Sequence, residues 1–303
     1  MRHLPNNTIQ HKSLISRQPA NQHMKAFLFS LLALTYLSAV GQVTSQNSNQ
    51  FLATNQKGGF YFYWGWNRDA YTKSNIRFQG TDYDFTLSKV VATDRQSAFD
   101  PKIYFSPVKL TIPQYNFRLG YYFKEHYEIS LGVDHMKYVM VVNQPSHIDG
   151  YINNSGTSYD GIYSNQAFTI APNFLLFEHT DGLNYINTEL RRSDILFHRK
   201  FFEVSVNEGF GIGGLLPRTN TTLLNNPRYD QFHFAGYGLG IVGALHLSFF
   251  KYFFIQGELK GGFIHMPDIR TTMHIEDKAS QHFFWGQYNV VFGGQFPIGQ
   301  GKK

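Results

Sequence analysis

Apolar and polar residues alternate with period two along eight segments, aromatic residues make up 17% of the chain, and short connections alternate with long ones. These observations predict an all-β fold: an antiparallel up-and-down transmembrane β-barrel of about eight strands, with ten strands as the alternative. Of 303 residues, 29 are Phe and 19 are Tyr, more than a soluble core needs, yet the mean hydropathy is negative. Barrel strands present one face to lipid and the other to the lumen, so aromatic wealth and low mean hydropathy coexist there.

The N-terminal segments come first. Residues 1–23 are polar and aperiodic and read as an upstream extension of the reading frame. Met24 and Lys25 open a short positive region, and the apolar run 26–37 follows. Ser38, Ala39 and Gly41 then supply the small residues that signal peptidase requires before Gln42. That run is shorter than the ~20 residues of a spanning helix, which favours cleavage over anchoring. The expected order is therefore a signal peptide at 24–41, a linker at 42–58, the barrel at 59–297 and a polar tail at 298–303.

The closing segment, 282–296, has the clearest pattern. Its even positions carry Phe284, Gly286, Tyr288, Val290, Phe292, Gly294 and Phe296, and Gln287, Asn289 and Gln295 lie opposite. Segment 252–265 sets Phe253, Ile255, Leu259 and Phe263 against Gln256, Glu258 and Lys260. Segment 232–248 has Tyr237, Leu239, Ile241, Leu245 and Leu247 on one face, with glycines, His246 and Ser248 on the other. In 201–216 the apolar face is Phe202, Val204, Val206, Phe210 and Ile212; Glu208 falls on it, so a bulge or an interfacial position is expected there. Segments 113–123 and 127–142 pair, and 60–66 is a first strand dense in aromatics. Segment 184–196 is the faintest, because Arg191, Arg192 and Asp194 blur its faces.

Tight turns surround Lys124, Glu125 and His126, then His198, Arg199 and Lys200, then Phe250 and Lys251. The connections 67–111, 143–183, 217–230 and 266–281 are long. Strict alternation of this kind suits short periplasmic turns and long outer loops. The ten-stranded alternative takes 82–91 and 103–111 across the membrane, where Pro101 and Pro107 would sit awkwardly.

The chain has no cysteine, which excludes disulfides, thiolate metal sites, cysteine nucleophiles and a lipoprotein anchor. Its formal charge is +6, but the basic residues are scattered, so nucleic acid is not an expected partner. Cations near lipopolysaccharide phosphates, or paired inside a barrel, account for that charge. No cofactor is expected: Gly209, Gly211, Gly213 and Gly214 lie in a strand, not before a helix.

The mature region resembles the outer-membrane β-barrel proteins of Bacteroidetes-type bacteria. The resemblance lies in the signal peptide, in Thr111-Ile112-Pro113-Gln114-Tyr115-Asn116-Phe117, in Gly132-Val133-Asp134-His135-Met136-Lys137-Tyr138-Val139-Met140 and in the closing strand. It implies a bacterial outer-membrane location with lipid and lipopolysaccharide as surroundings, and brings no activity with it. An alternating strand closing on Phe296 is also similar to the C-terminal signal of such proteins, which implies the barrel-assembly machinery as a partner.

A lumen eight strands wide is just filled by side chains. Arg118, Glu128, Asp134, Glu203, Glu258 and Lys260 are the expected lumen charges, forming a network of buried ion pairs. A narrow small-solute pore is the alternative reading. His246 and Ser248, with Glu258 on the next strand, resemble the His-x-Ser plus Glu pattern of outer-membrane lipid A deacylases, which implies a candidate hydrolytic site. Against this, both fall on the lumen face, away from a lipid substrate. His265, His274 and His282 bracket the last outer loop with no metal-ligand spacing. The functional expectation is a structural or surface-interaction protein, with any surface partner held by the outer loops.

Overall fold

The computed structural model describes residues 56–297, except 107–108 and 110–112. The expected signal peptide, the upstream residues, most of the 42–58 linker and the polar tail lie outside the described residues. Among the described residues no helix is long and apolar enough to cross a membrane, which says nothing of crossing by strands.

Eight antiparallel strands close on themselves: β1 (Gly59–Tyr71), β5 (Tyr115–Lys124), β6 (Tyr127–Met140), β9 (Leu175–Arg199), β10 (Phe202–Leu223), β12 (Gly236–Phe249), β13 (Phe253–Arg270) and β14 (Lys278–Pro297). Each pairs with the next, and β14 pairs with β1 from Gly59↔Pro297 to Tyr71↔Trp285, so the ladder has no free edge in this ring. All eight alternating segments of the sequence fall on ring strands.

The total strand count is a correction: among the described residues the sheet has fourteen strands, not about eight. The long connections, expected as loops, hold β2 (Ser74–Gln79), β3 (Tyr83–Val90), β4 (Ala92–Thr93), β7 (Gln144–Ile152), β8 (Gly161–Ile170) and β11 (Tyr229–Phe232). The physical reason is strand length. β9 has 25 residues and β10 has 22. At ~3.3 Å per residue and ~45° tilt, 25 residues rise about 55 Å, roughly twice a bilayer's apolar band. The excess provides ladder for further strands: β2 pairs with β14, β3 with β2, β7 with β3 and β8 with β7. Segment 82–91, a crossing strand in the ten-stranded alternative, becomes β3 of this outer sheet. Residues 101–104, just before and into its other segment, form one helical turn, α1 (Pro101–Tyr104), with Asp100 capping Lys102 N at 2.9 Å.

A bulge does occur on the β9–β10 ladder, but not at Glu208. Ile195 pairs with Ser205 and Phe197 with Val204, leaving Leu196 as the extra residue. Leu196 and Phe197 therefore both face outward. This lets the apolar face continue to the turn despite the parity break.

The ring and the outer sheet have opposite polarity. Phe62, Leu119, Leu131, Phe210, Ile241 and Val290 are among the apolar residues exposed around the ring. Above it, Phe78, Phe85, Met136, Tyr138, Phe177 and Phe283 belong to a large buried apolar core, which forms a cap. The change occurs along single strand faces. On β6, inward Glu128, Ser130 and Asp134 give way to inward Met136, Tyr138 and Met140. A smaller aromatic cluster, Tyr61, Tyr63, Tyr122, Phe254 and Val291, lies at the other end.

Candidate functional site

Between the two apolar clusters the ring interior is charged. The placement follows from strand parity: residues two apart share a face, and the inward positions of β5, β6, β9 and β13 converge at one level. Lys260 Nζ donates to Asp134 Oδ1 at 3.0 Å and to Glu189 Oε1 at 3.0 Å. Arg118 Nη2 donates to Glu189 Oε1 at 2.8 Å and to Asn187 Oδ1 at 2.6 Å. Arg191 reaches Glu189 Oε2 through Nε at 2.6 Å and Glu258 Oε1 through Nη1 at 2.8 Å. The Tyr63 hydroxyl accepts from both guanidinium groups and donates to Glu258 at 2.9 Å. Asn289 donates to the other Glu258 oxygen at 2.8 Å, and Asn116 to Asp134.

Three cations thus face three carboxylates, all almost fully buried. Removing such charges from water is costly, and only complete pairing with further hydrogen bonds offsets it. Inward glycines give the long side chains room. A Cβ on Gly132 would stand 2.8 Å from Arg118 Cζ, and one on Gly211 2.7 Å from Glu189 Cγ. Glycine on one strand is matched by a large charged residue from its neighbour.

Of the six lumen charges expected from sequence, Arg118, Asp134, Glu258 and Lys260 meet in this network. Glu128 stands at its edge, accepting from Tyr61 Oη at 2.8 Å and lying 3.8 Å from Arg191 Nε. Glu203 is elsewhere, near the mouth by the short turns, 3.0 Å from His198 Nδ1. Sequence reasoning missed Glu189 and Arg191, the two residues that join the rest. The available signal was the odd-numbered run Tyr185, Asn187, Glu189, Arg191 and Ser193, all buried. It was masked by Arg192 and Asp194, which pair with each other at 2.7 Å on the outward face.

The hydrolase candidates do not assemble. His246 Nδ1 lies 2.8 Å from Gln256 Oε1, and Gln256 in turn donates to Glu258 at 2.7 Å. Ser248 accepts from Gln295 at 3.0 Å, and Glu258 is held by Arg191. Among the described residues no hydrogen bond joins His246 to Ser248 or to Glu258, so the serine has no base to activate it. His265 and His282 are cross-strand partners with ring centroids 6.3 Å apart, and His274 stands in the turn above. Among the described residues no group of three or more potential ligands could hold a metal.

No protein-family model matches the chain, and no curated protein is similar to it in sequence. Among solved structures it is similar to OprG, an outer-membrane protein of Pseudomonas aeruginosa, with 8% identity, 80% of this chain and 97% of that chain covered, and a TM-score of 0.35. Neisserial surface protein A is 6% identical over 79% of this chain and 100% of that chain, with a TM-score of 0.31. Ail, the attachment invasion locus protein of Yersinia pestis, in complex with a heparin analogue, is 8% identical over 79% of this chain and 99% of that chain, with a TM-score of 0.30. Likenesses this distant carry no argument about what the chain does.

Proposed function

We propose that this chain is an integral outer-membrane β-barrel whose filled interior is structural and whose outer cap meets partners at the cell surface. One observation carries the reading: polarity inverts along continuous strands. Where the ring is apolar outside it is charged inside, and where the interior turns apolar the outside turns polar. On β14 the apolar face runs from Phe284 to Phe296. Those 12 steps measure about 40 Å along the strand and about 28 Å after a ~45° tilt, close to the ~25 Å apolar band of membrane barrels. His135 on β6 and His282 on β14 are the first polar outward residues beyond the band. The short turns then face the periplasm and the cap faces outward.

Export by the signal at 24–41, kinship with Bacteroidetes-type barrels and recognition of the strand ending at Phe296 by the assembly machinery belong to the same reading. They rest on the sequence segments alone. Gel electrophoresis of an outer-membrane fraction, with and without boiling, tests the barrel: a folded ring is expected to shift on heating. Recovery in the soluble fraction would overturn the reading. In a planar bilayer the filled interior predicts no conductance steps, and reproducible steps would make the protein a pore.

A further inference from the structure

The residues below the aromatic floor have no part in the charged network. At the mouth by the short turns, a shallow open cleft is lined by the start of β1, the end of β14 and the β9–β10 and β12–β13 turns. Three cations line it: Arg199, Lys200 and Lys251. Among the described residues none of the three is in an ion pair; Arg199 and Lys200 lie over the rings of Phe197 and Phe201. The one carboxylate in the lining, Glu203, is bound by His198 and also feels the charge of Lys251, so three cations share a single acid there. The rest of the wall is largely aromatic, with Phe60, Phe201, Phe202 and Phe296. Phe60, Phe201 and Phe296 are each about half exposed, at 48%, 56% and 48%.

Three cations set against one carboxylate, beside half-exposed aromatic rings, fit a ligand with an acidic head and a hydrocarbon chain. A small hydrophilic anion would leave the rings in water. A zwitterionic headgroup would bring a further cation toward three that already outnumber the one carboxylate. We propose that this mouth binds the headgroup of an acidic phospholipid from the periplasmic leaflet, with its chain against Phe60 and Phe296. Those two rings stand on the lipid-facing side of the seam where β1 meets β14, so one ligand can touch both the mouth and the bilayer. The assignment of the leaflet rests on the outer-membrane reading; the binding chemistry does not.

The test is native mass spectrometry of the full barrel released from a neutral detergent with added phosphatidylglycerol or phosphatidylcholine of the same chains. One phosphatidylglycerol is expected to be retained at least about tenfold more than phosphatidylcholine. The triple variant Arg199→Ala/Lys200→Ala/Lys251→Ala should fall to the phosphatidylcholine level. A control on the cap, Lys89→Ala/Lys102→Ala/Arg228→Ala, should retain the lipid. Equal retention of the two lipids, or an undiminished triple variant, overturns the proposal. So does full displacement by glycerol phosphate at the lipid's own concentration, because a chainless headgroup would not need the aromatic wall. The heat shift on a gel is read for every variant in parallel. Its loss in the unsubstituted protein would indict the barrel, whereas its retention without lipid selectivity would indict the site alone.

Discussion

Replacing Lys260 with Met keeps most of the side-chain length, truncating it at Nζ, and removes one charge from the network. Lys260 Nζ lies 3.0 and 3.1 Å from the Asp134 oxygens and 3.0 Å from Glu189. Glu189 keeps Arg118 and Arg191, so the loss falls mainly on Asp134, which retains the neutral donors Asn116 and Asn187 and a longer 4.0 Å approach to Arg118. Two cations then face three carboxylates in a dry interior. Breaking a buried pair from one side costs about 3–5 kcal/mol, a hundredfold or greater change in the folding constant. The double variant Lys260→Met/Asp134→Asn restores balance with Arg118 and Arg191 against Glu189 and Glu258. It should cost only about 1 kcal/mol, since removing both partners of a buried pair is often near neutral. The assay is reversible guanidinium unfolding of the barrel in lipid vesicles, read by tryptophan fluorescence and by the gel shift. A coupling of about 2 kcal/mol or more is the expected result. A double variant no more stable than the single one would refute the view that these charges act as a compensated set.

Other outcomes follow from the same geometry. Gly213→Ala should destabilise by about 1–3 kcal/mol, because its Cβ would lie 2.1 Å from the Ile186 carbonyl oxygen, which is backbone and cannot give way. Gly257→Ala should be within about 0.5 kcal/mol of neutral, since nothing lies within 4 Å of that Cβ; the two variants are compared by unfolding midpoint. Burial pulls the His179 imidazole, on the cap side of β9, down to about 3. An unfolded chain protonates that ring below ~6.5, so stability is full above that pH and falls by about 1.4 kcal/mol per unit toward pH 3. Unfolding free energies at pH 7.5 and pH 5 should therefore differ by about 2 kcal/mol, and His179→Phe should abolish that share of the slope. Arg77→Ala, which removes the exposed 2.6 Å pair with Asp84, should change stability by no more than about 1 kcal/mol.

The ring was legible because lipid and lumen impose strict period-two contrast, most openly from Phe284 to Phe296. Legibility failed where that contrast was absent for a physical reason. In β9 the outward pair Arg192–Asp194 sits near the turn, where a charged residue meets headgroups, so it imitates an inward position. The cap strands were hidden differently. β8 is an edge strand with polar and exposed residues on both faces, and it carries a bulge with Asn165 at φ 47°. β7 opens its inward face with Gln144 and Ser146, whose hydrogen bonds to Val91 and Ser88 are tertiary and leave no periodic trace. The network itself was half visible: parity identified which charges point inward, but not that Glu189 and Arg191 link them across the lumen.

An eight-stranded ring can be filled or open, but it has no width for both. Here the interior is occupied by Arg118, Glu189, Arg191 and Lys260 between an aromatic floor and an apolar roof, with inward glycines making the room. Each of those charges is held by two or more partners, so moving one to open a path would strand others in a low dielectric. Conformational change is therefore cheaper outside the network than within it. The cap joins the ring through the β14–β2 and β6–β4 ladders and through the apolar core that the two share. The mouth cleft lies beneath the floor, where rearranging Lys200 or Lys251 breaks no ion pair.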